Sequence, residues 1–477
     1  MAQRPNIIIL LPDQLRHDFL GCYGADFLET PHIDALAARG TLFEDAVAPF
    51  PLCVPMRASM LTGLDAVATG ILDNEKWLRP DRRAMGIETW AEMLSAQGYH
   101  TASIGKMHFY PWDLSEGFKE RLISEDKRHI HVQDDYAAFL QEHGLAKQHG
   151  HELECYAETK GAGLAGLPPE GQVDHWVADQ TVRFLKRQSP DRPFAAFIGF
   201  PSPHCPYDPT AEALARVDPS RLPVARAPTL ESEALRPAMI QGYKQPWADL
   251  DYTEFTDSQI ASIRHHYAAL IEMLDEAIGK VTNALAASPL GENTVVIFAS
   301  DHGDYVGDYR MIGKGTFFEP SIRVPLILAD PRDPGTRRQQ ETVVLPDLFE
   351  TILDLVGVNS PRPTPYRSLR SEGQANRPVF GVTAQGMMLR RGSLKLCRYA
   401  NGLQCAYDLT RDSEEQSNVF SDPAYRPALD ELDALLTEQL MRSMLQNNAD
   451  KAIDAARNAD PRSFYARCWQ RPYPARL

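Results

Sequence analysis

Three observations predict an α/β fold with a smaller C-terminal α+β subdomain. Four short apolar runs, 6–11, 101–104, 194–200 and 294–299, have the length and unbroken apolar character of parallel strands buried on both faces. Each run gives way at once to polar residues: Asp13 and Gln14, Lys106 and His108, His204, then Asp301 and His302. Beyond residue 374 short segments of mixed polarity replace this pattern. Ligands of open α/β sheets bind outside the carboxyl ends of the strands. The four polar terminations therefore predict one rim carrying carboxylates, imidazoles and an ammonium group.

Helical patterns fill the intervals. Residues 31–40 open on Pro31 and close on Gly40, and 88–98 end on Gly98. The longest helix, 258–287, carries an apolar stripe from Ile260 and Ile263 through Tyr267 and Leu274 to Leu285, which is a packing face. A further helix is expected over 347–356. The stretches 111–189 and 201–251 read as long excursions from the rim, where substrate-selecting loops sit. Pro, Arg and Ser collect at 359–374 and mark a boundary. Residues 1–370 are then the catalytic domain and 371–477 the subdomain. In the latter, 379–383, 386–391, 394–399 and 406–409 suit a small antiparallel sheet, and 429–445 a helix. The tail at 461–477 mixes arginine with aromatic residues and is a candidate segment for packing on its own domain or on a neighbouring subunit of a homo-oligomer.

With 43% hydrophobic and 24% charged residues, the 477-residue chain has the composition of a soluble globular protein. Its formal charge of −15 repels nucleic acid and anionic membranes, so neither is expected as a partner. The run at 6–11 is too short for a signal-peptide core or a membrane span. The 7 cysteines are scattered, odd in number and without a C-x-x-C pair. That usage fits a reducing, cytoplasmic location.

Residues 51–63 read Pro-Leu-Cys-Val-Pro-Met-Arg-Ala-Ser-Met-Leu-Thr-Gly. Pro55 suits the first turn of a helix and Gly63 its end. Cys53 then lies at or just before the helix N-terminus, where free backbone N–H groups favour anions. Arg57, four residues on, shares its face and can point back toward it. The same local chemistry also fits a buried cysteine capping a helix, with Arg57 in a surface ion pair.

Cys53-Val54-Pro55-Met56-Arg57 followed by Leu61-Thr62-Gly63 resembles the signature of the type I, formylglycine-dependent sulfatases of the alkaline-phosphatase-like superfamily. Further segments extend the resemblance in order: 6–13, Gly105-Lys106-Met107-His108, Pro203-His204 with Pro206, 300–304 with Gly313-Lys314-Gly315 and Arg323-Val324-Pro325, and Tyr407-Asp408-Leu409 through Asn418. It implies an α/β/α sandwich with a large mixed sheet. It also implies that a separate maturation enzyme oxidises Cys53 to Cα-formylglycine. Asp13, Gln14, Asp301 and His302 take the metal positions. The Gln/His pair, where many sulfatases have Asp and Asn, resembles the choline sulfatase and phosphonate monoester hydrolase branch. In that branch the position of Asn74, 21 residues after Cys53, contacts substrate.

The chemistry expected of these groups is consistent. A small anionic ester must have its charge neutralised before attack, and a divalent cation does this as a Lewis acid. Hard carboxylate oxygens suit Ca²⁺, and the imidazole makes Mn²⁺ its rival, ahead of Mg²⁺. Asp13 and Asp301 taken singly also fit strand-end carboxylates that cap the next helix. As the resemblance implies, one hydroxyl of the formylglycine hydrate attacks sulfur and expels the alcohol, and loss of the second hydroxyl's proton then returns the aldehyde and frees sulfate. His108 is then the base, His204 the acid, and Lys106, Lys314 and Arg57 hold the anionic oxygens. Singly, either histidine fits a structural hydrogen-bonding role. Sulfate ester hydrolysis is the expected function. Phosphonate monoester or phosphodiester hydrolysis by the same machinery is its rival, and a non-catalytic metal-binding protein is the reading from another class.

Overall fold

The computed structural model describes residues 4–125, 129–371, 373 and 376–449; the tail at 461–477 lies outside them. In chain order the strands are β1 (Asn6–Asp13), β2 (Thr41–Phe43), β3 (Ala46–Val47), β4 (His100–Gly105), β5 (Glu120–Ile123), β6 (Phe194–Pro203), β7 (Thr294–Ala299), β8 (Arg323–Val324), β9 (Leu326–Ala329), β10 (Arg337–Gln339) and β11 (Val343–Val344). Eight of them form one sheet in the order β10-β2-β9-β7-β1-β6-β4-β5. The four apolar runs are the four adjacent central strands β7, β1, β6 and β4, all mutually parallel. The sheet is mixed because β9 runs antiparallel to both its neighbours. β3, β8 and β11 make a separate three-stranded sheet.

Alternation along β1 divides the core. Ile8 and Leu10 pack with helices Pro31–Ala37, Val173–Lys186 and Asp257–Ala286 on one face. Ile7, Ile9 and Leu11 pack with helices Cys53–Thr62, Trp90–Ala96 and Asp347–Val356 on the other. This is the expected α/β/α sandwich. The two excursions are more ordered than their composition suggests. The first contains β5 and helices Asp135–Glu142 and Val173–Lys186, and the second contains helices Ala211–Arg216 and Leu230–Tyr243. Val173–Lys186 buries Val173, Trp176, Val177, Phe184 and Leu185 against the sheet, so that part is sandwich rather than loop.

β12 (Val379–Thr383), β13 (Gly386–Arg391), β14 (Leu394–Tyr399) and β15 (Gln404–Asp408) form the antiparallel meander, the last starting two residues earlier than its sequence pattern. Helix Arg426–Ala449 covers one side through Leu429, Leu432 and Leu436. The other side packs Met388, Cys397 and Tyr407 against Phe317, Phe318 and Tyr309 of the larger unit. Lys395 crosses this contact. Its fully buried ammonium reaches the Phe317 carbonyl at 2.6 Å, Glu319 at 2.9 Å and Glu415 at 2.5 Å. Among the described residues no helix is long and apolar enough to cross a membrane.

Breaking a buried ion pair strands its partners without water. Lys395→Met, which leaves Glu319 and Glu415 facing each other, is expected to lower stability by about 3–5 kcal/mol in urea denaturation.

Candidate active site

The carboxyl ends of the four central strands build the rim. A register shift between Pro12 and Asp13 bends the end of β1 beside β6. Gly105 has φ +89°, and a Cβ there would lie 2.0 Å from the Gly199 carbonyl; this close approach lets β4 turn over β6 into Lys106. Cys53 is the first residue of its helix, and the side-chain oxygen of Asn74 accepts the Val54 N–H at 3.0 Å. A residue 20 positions along the chain thus caps the helix that carries Cys53.

The structure brings Asp13, Cys53, Asp301 and His302 into one fully buried group whose potential ligand atoms all lie within 4.8 Å of one another. Cys53 Sγ is 3.2 Å from His302 Nε2 and 3.8 Å from Asp13 Oδ1. His302 Nε2 is 3.7 Å from Oδ1 of both Asp13 and Asp301. Its Nδ1 faces the Gly303 carbonyl at 3.0 Å, which assigns the proton to Nδ1 and leaves the Nε2 lone pair facing the carboxylates. Gln14 joins through its backbone N–H, 3.1 Å from Asp301 Oδ1, and through an amide held between Asp304 and Lys314.

Arg57 is buried, which removes the surface ion pair. Its Nε meets Asp301 Oδ2 at 2.9 Å, Nη2 meets Asp13 Oδ2 at 3.2 Å, and Nη1 meets the Lys106 carbonyl at 2.7 Å. Lys106 Nζ takes Asp13 Oδ2 at 2.9 Å. The outer carboxylate oxygens thus hold cationic side chains, while the inner ones face His302. Burial and the Cys53 charge push Asp13 upward, but Lys106, His204 and Arg57 outweigh them and hold it below the carboxylate range. Asp301 is raised by burial and by the charge of Asp13. Such a pair, beside an imidazole lone pair, fits a divalent cation, whose charge relieves both effects.

Burial opposes ionisation of Cys53, yet the charges of Lys314 and His302, with the neighbouring His108 and His204 imidazoles, hold its thiol well below the usual range. His108 adopts a left-handed backbone, φ 61°, held by its own N–H to the Glu125 carboxylate at 3.1 Å. Its Nε2 meets the Tyr110 hydroxyl at 3.1 Å. His204 Nδ1 faces the Cys205 carbonyl at 2.9 Å, so its Nε2 accepts from Lys314 Nζ at 2.7 Å. Nine of the eleven residues named from the sequence join one hydrogen-bonded and ionic assembly, while Asn74 meets it through the Val54 N–H and His108 stands beside Cys53, bonded to Glu125 and Tyr110. The sequence reading missed Glu125, Tyr110, Tyr207 and Asp304 as supporting groups. Asp304 stands inside the quoted 300–304 segment without a role assigned to it, and Tyr110 lies just past Gly105–His108, whereas Glu125 sits 17 residues from His108 in an unpatterned segment.

A mixed α/β sheet whose central strand ends gather carboxylates, imidazoles and cationic side chains about Cys53 is the arrangement of an active-site rim. A family model described as sulfatase matches residues 5–358, and the chain belongs to the sulfatase family. It is 27% identical to an arylsulfatase of Clostridium perfringens over 481 residues, covering 92% of this chain and 94% of that one. A choline-sulfatase of Rhizobium meliloti is 28% identical over 447 residues, covering 88% and 83%. Among solved structures, the phosphonate monoester hydrolase of Agrobacterium radiobacter shares the fold with a TM-score of 0.78 and 23% identity, covering 93% of this chain and 96% of that one.

The cap role of Asn74 is separable from any contact with substrate. Asn74→Ala is expected to lower stability by about 1 kcal/mol, while Asn74→Asp, which keeps the acceptor, retains it in thermal denaturation.

Proposed function

We propose that the protein hydrolyses sulfate esters, with a formylglycine made from Cys53 as nucleophile and one divalent cation held by Asp13, Gln14, Asp301 and His302. The observation that carries this reading is the convergence of Cys53 Sγ, two carboxylates and an imidazole in one buried group. The names of the arylsulfatase and choline-sulfatase relatives support the sulfuric ester.

The cation supplies Lewis-acid neutralisation of the ester's charge. The oxidised side chain supplies a covalent attachment that can release itself. The protein's own groups do the rest. Arg57 fixes the two carboxylates and acts as a positioning residue. Lys106 and Lys314 bring positive charge to the rim, where a dry environment strengthens their pull on an anion. Asp13, Asp301 and Asp304 offset Arg57, Lys106 and Lys314, so a divalent ion leaves the rim positive inside an acidic shell. His108, which acts on the residue 53 side chain from beside it, takes the proton that release requires. The Lys314–His204 pair donates to the leaving oxygen, and Asn74 borders the substrate beside the helix terminus. The carboxylate and amide oxygens suit Ca²⁺, and His302 adds Mn²⁺.

The maturation enzyme that forms formylglycine is the expected partner. Scattered cysteines, odd in number and without a C-x-x-C pair, support a reducing cytoplasmic setting. The Gln14/His302 pair and Asn74 favour one second reading, turnover of phosphonate monoesters at the same site.

Mass spectrometry of the residue 53 peptide should detect formylglycine in active protein, and Cys53→Ala should fold yet lose turnover. Full activity in that variant ends the covalent mechanism. A strong chelator should abolish activity, with Ca²⁺ or Mn²⁺ restoring it. For matched aryl esters kcat/KM should favour sulfate; a larger value for the phosphonate reverses the assignment.

A further inference from the structure

Gln14 is held at both ends of its amide. Nε2 donates to Asp304 Oδ2, and Oε1 accepts from Lys314 Nζ. Asp304 is fully buried. Its Oδ1 accepts the Val306 N–H at 2.9 Å and the Gly313 N–H at 2.8 Å, and its Oδ2 also accepts the Tyr207 hydroxyl at 2.7 Å. Burial keeps the Tyr207 phenol protonated, so it remains a donor. Four donors therefore converge on one carboxylate, joining the loops after β1, β6 and β7.

An ionised carboxylate can only accept. Asp304 can therefore meet Gln14 only through the amide nitrogen, which turns the amide oxygen toward Lys314, whose charge also acts on Cys53 and His302. The two ends of an amide are alike in shape, so a hydrogen-bond partner has to choose between them. Lys314 makes the same choice here, but an ammonium repels a divalent cation, whereas Asp304 attracts one. We propose that Asp304 is the positioning residue that presents Gln14 Oε1 as a hard oxygen ligand to the cation. The inference rests on the metal reading above.

A double-variant cycle tests it, with Mn²⁺ binding to the metal-free protein read by electron paramagnetic resonance rather than by turnover. Asp304→Asn keeps an acceptor for the Val306 and Gly313 amides but turns a donor toward Gln14, whose nitrogen then faces the cation. Its Mn²⁺ affinity should fall about tenfold or more. Gln14→Glu alone sets a second carboxylate against Asp304 and should gain nothing. Gln14→Glu with Asp304→Asn restores a donor–acceptor match and should return affinity to within about threefold of wild type. Unchanged binding in Asp304→Asn overturns the proposal. So does an equal gain from Gln14→Glu in both backgrounds, which would reduce Asp304 to a simple charge. If Asp304→Asn does not fold, Gln14→Leu and Gln14→Glu with Asp304 intact carry the test. Loss in the first without gain in the second supports the proposal, and any other pattern overturns it. A wild-type protein that takes up neither Mn²⁺ nor Ca²⁺ sinks the metal reading itself.

Discussion

Asp13 and Asp301 lie side by side without solvent exposure, and like charges removed from water repel strongly. One guanidinium makes their approach tolerable. Arg57 spans Asp301, Asp13 and the Lys106 carbonyl through three nitrogens, and so ties the ends of β7, β1 and β4 together. The same side chain projects from the helix that begins at Cys53. The planar fork of arginine permits this span, whereas an ammonium is a single point of charge. The carboxylates and the Cys53 helix are thereby set at fixed separations by one rigid group.

Behind that inner layer stand groups that never face substrate. Glu125 accepts the His108 N–H, Asp304 turns Gln14, and Lys395 anchors the Phe317 carbonyl just past Lys314. Gln14 and His108 both hold positive φ angles, 71° and 61°. Such backbone costs about 1–3 kcal/mol at a residue with a side chain and persists only where surrounding bonds enforce it. The C-terminal sheet belongs to this support, because Lys395 lies on β14 yet holds the segment that follows the rim lysine.

Much of this was legible in the sequence for a physical reason. A central strand covered on both faces must be apolar throughout, so β7, β1, β6 and β4 stand out as continuous runs, and their polar terminations mark the rim. Edge strands carry no such mark. β10 is largely exposed and reads Arg-Arg-Gln, and β5 is half-buried along its length. Arg57 was placed correctly on the Cys53 face, but helical spacing does not say which group a long side chain will reach. Glu125 left no trace, since its partners come from another strand end. Helix Val173–Lys186 had readable spacing, but the polar, histidine-rich stretch around it hid the pattern.

Cys53 is only 1% exposed, at the base of a rim closed by segments from four strands. A second enzyme cannot grip a side chain in that position. Any agent that oxidises it must arrive while the chain around residue 53 is still open, before the distant segments close over it. Under the proposed oxidation of Cys53, modification and folding compete in time, and a chain that folds first keeps its thiol.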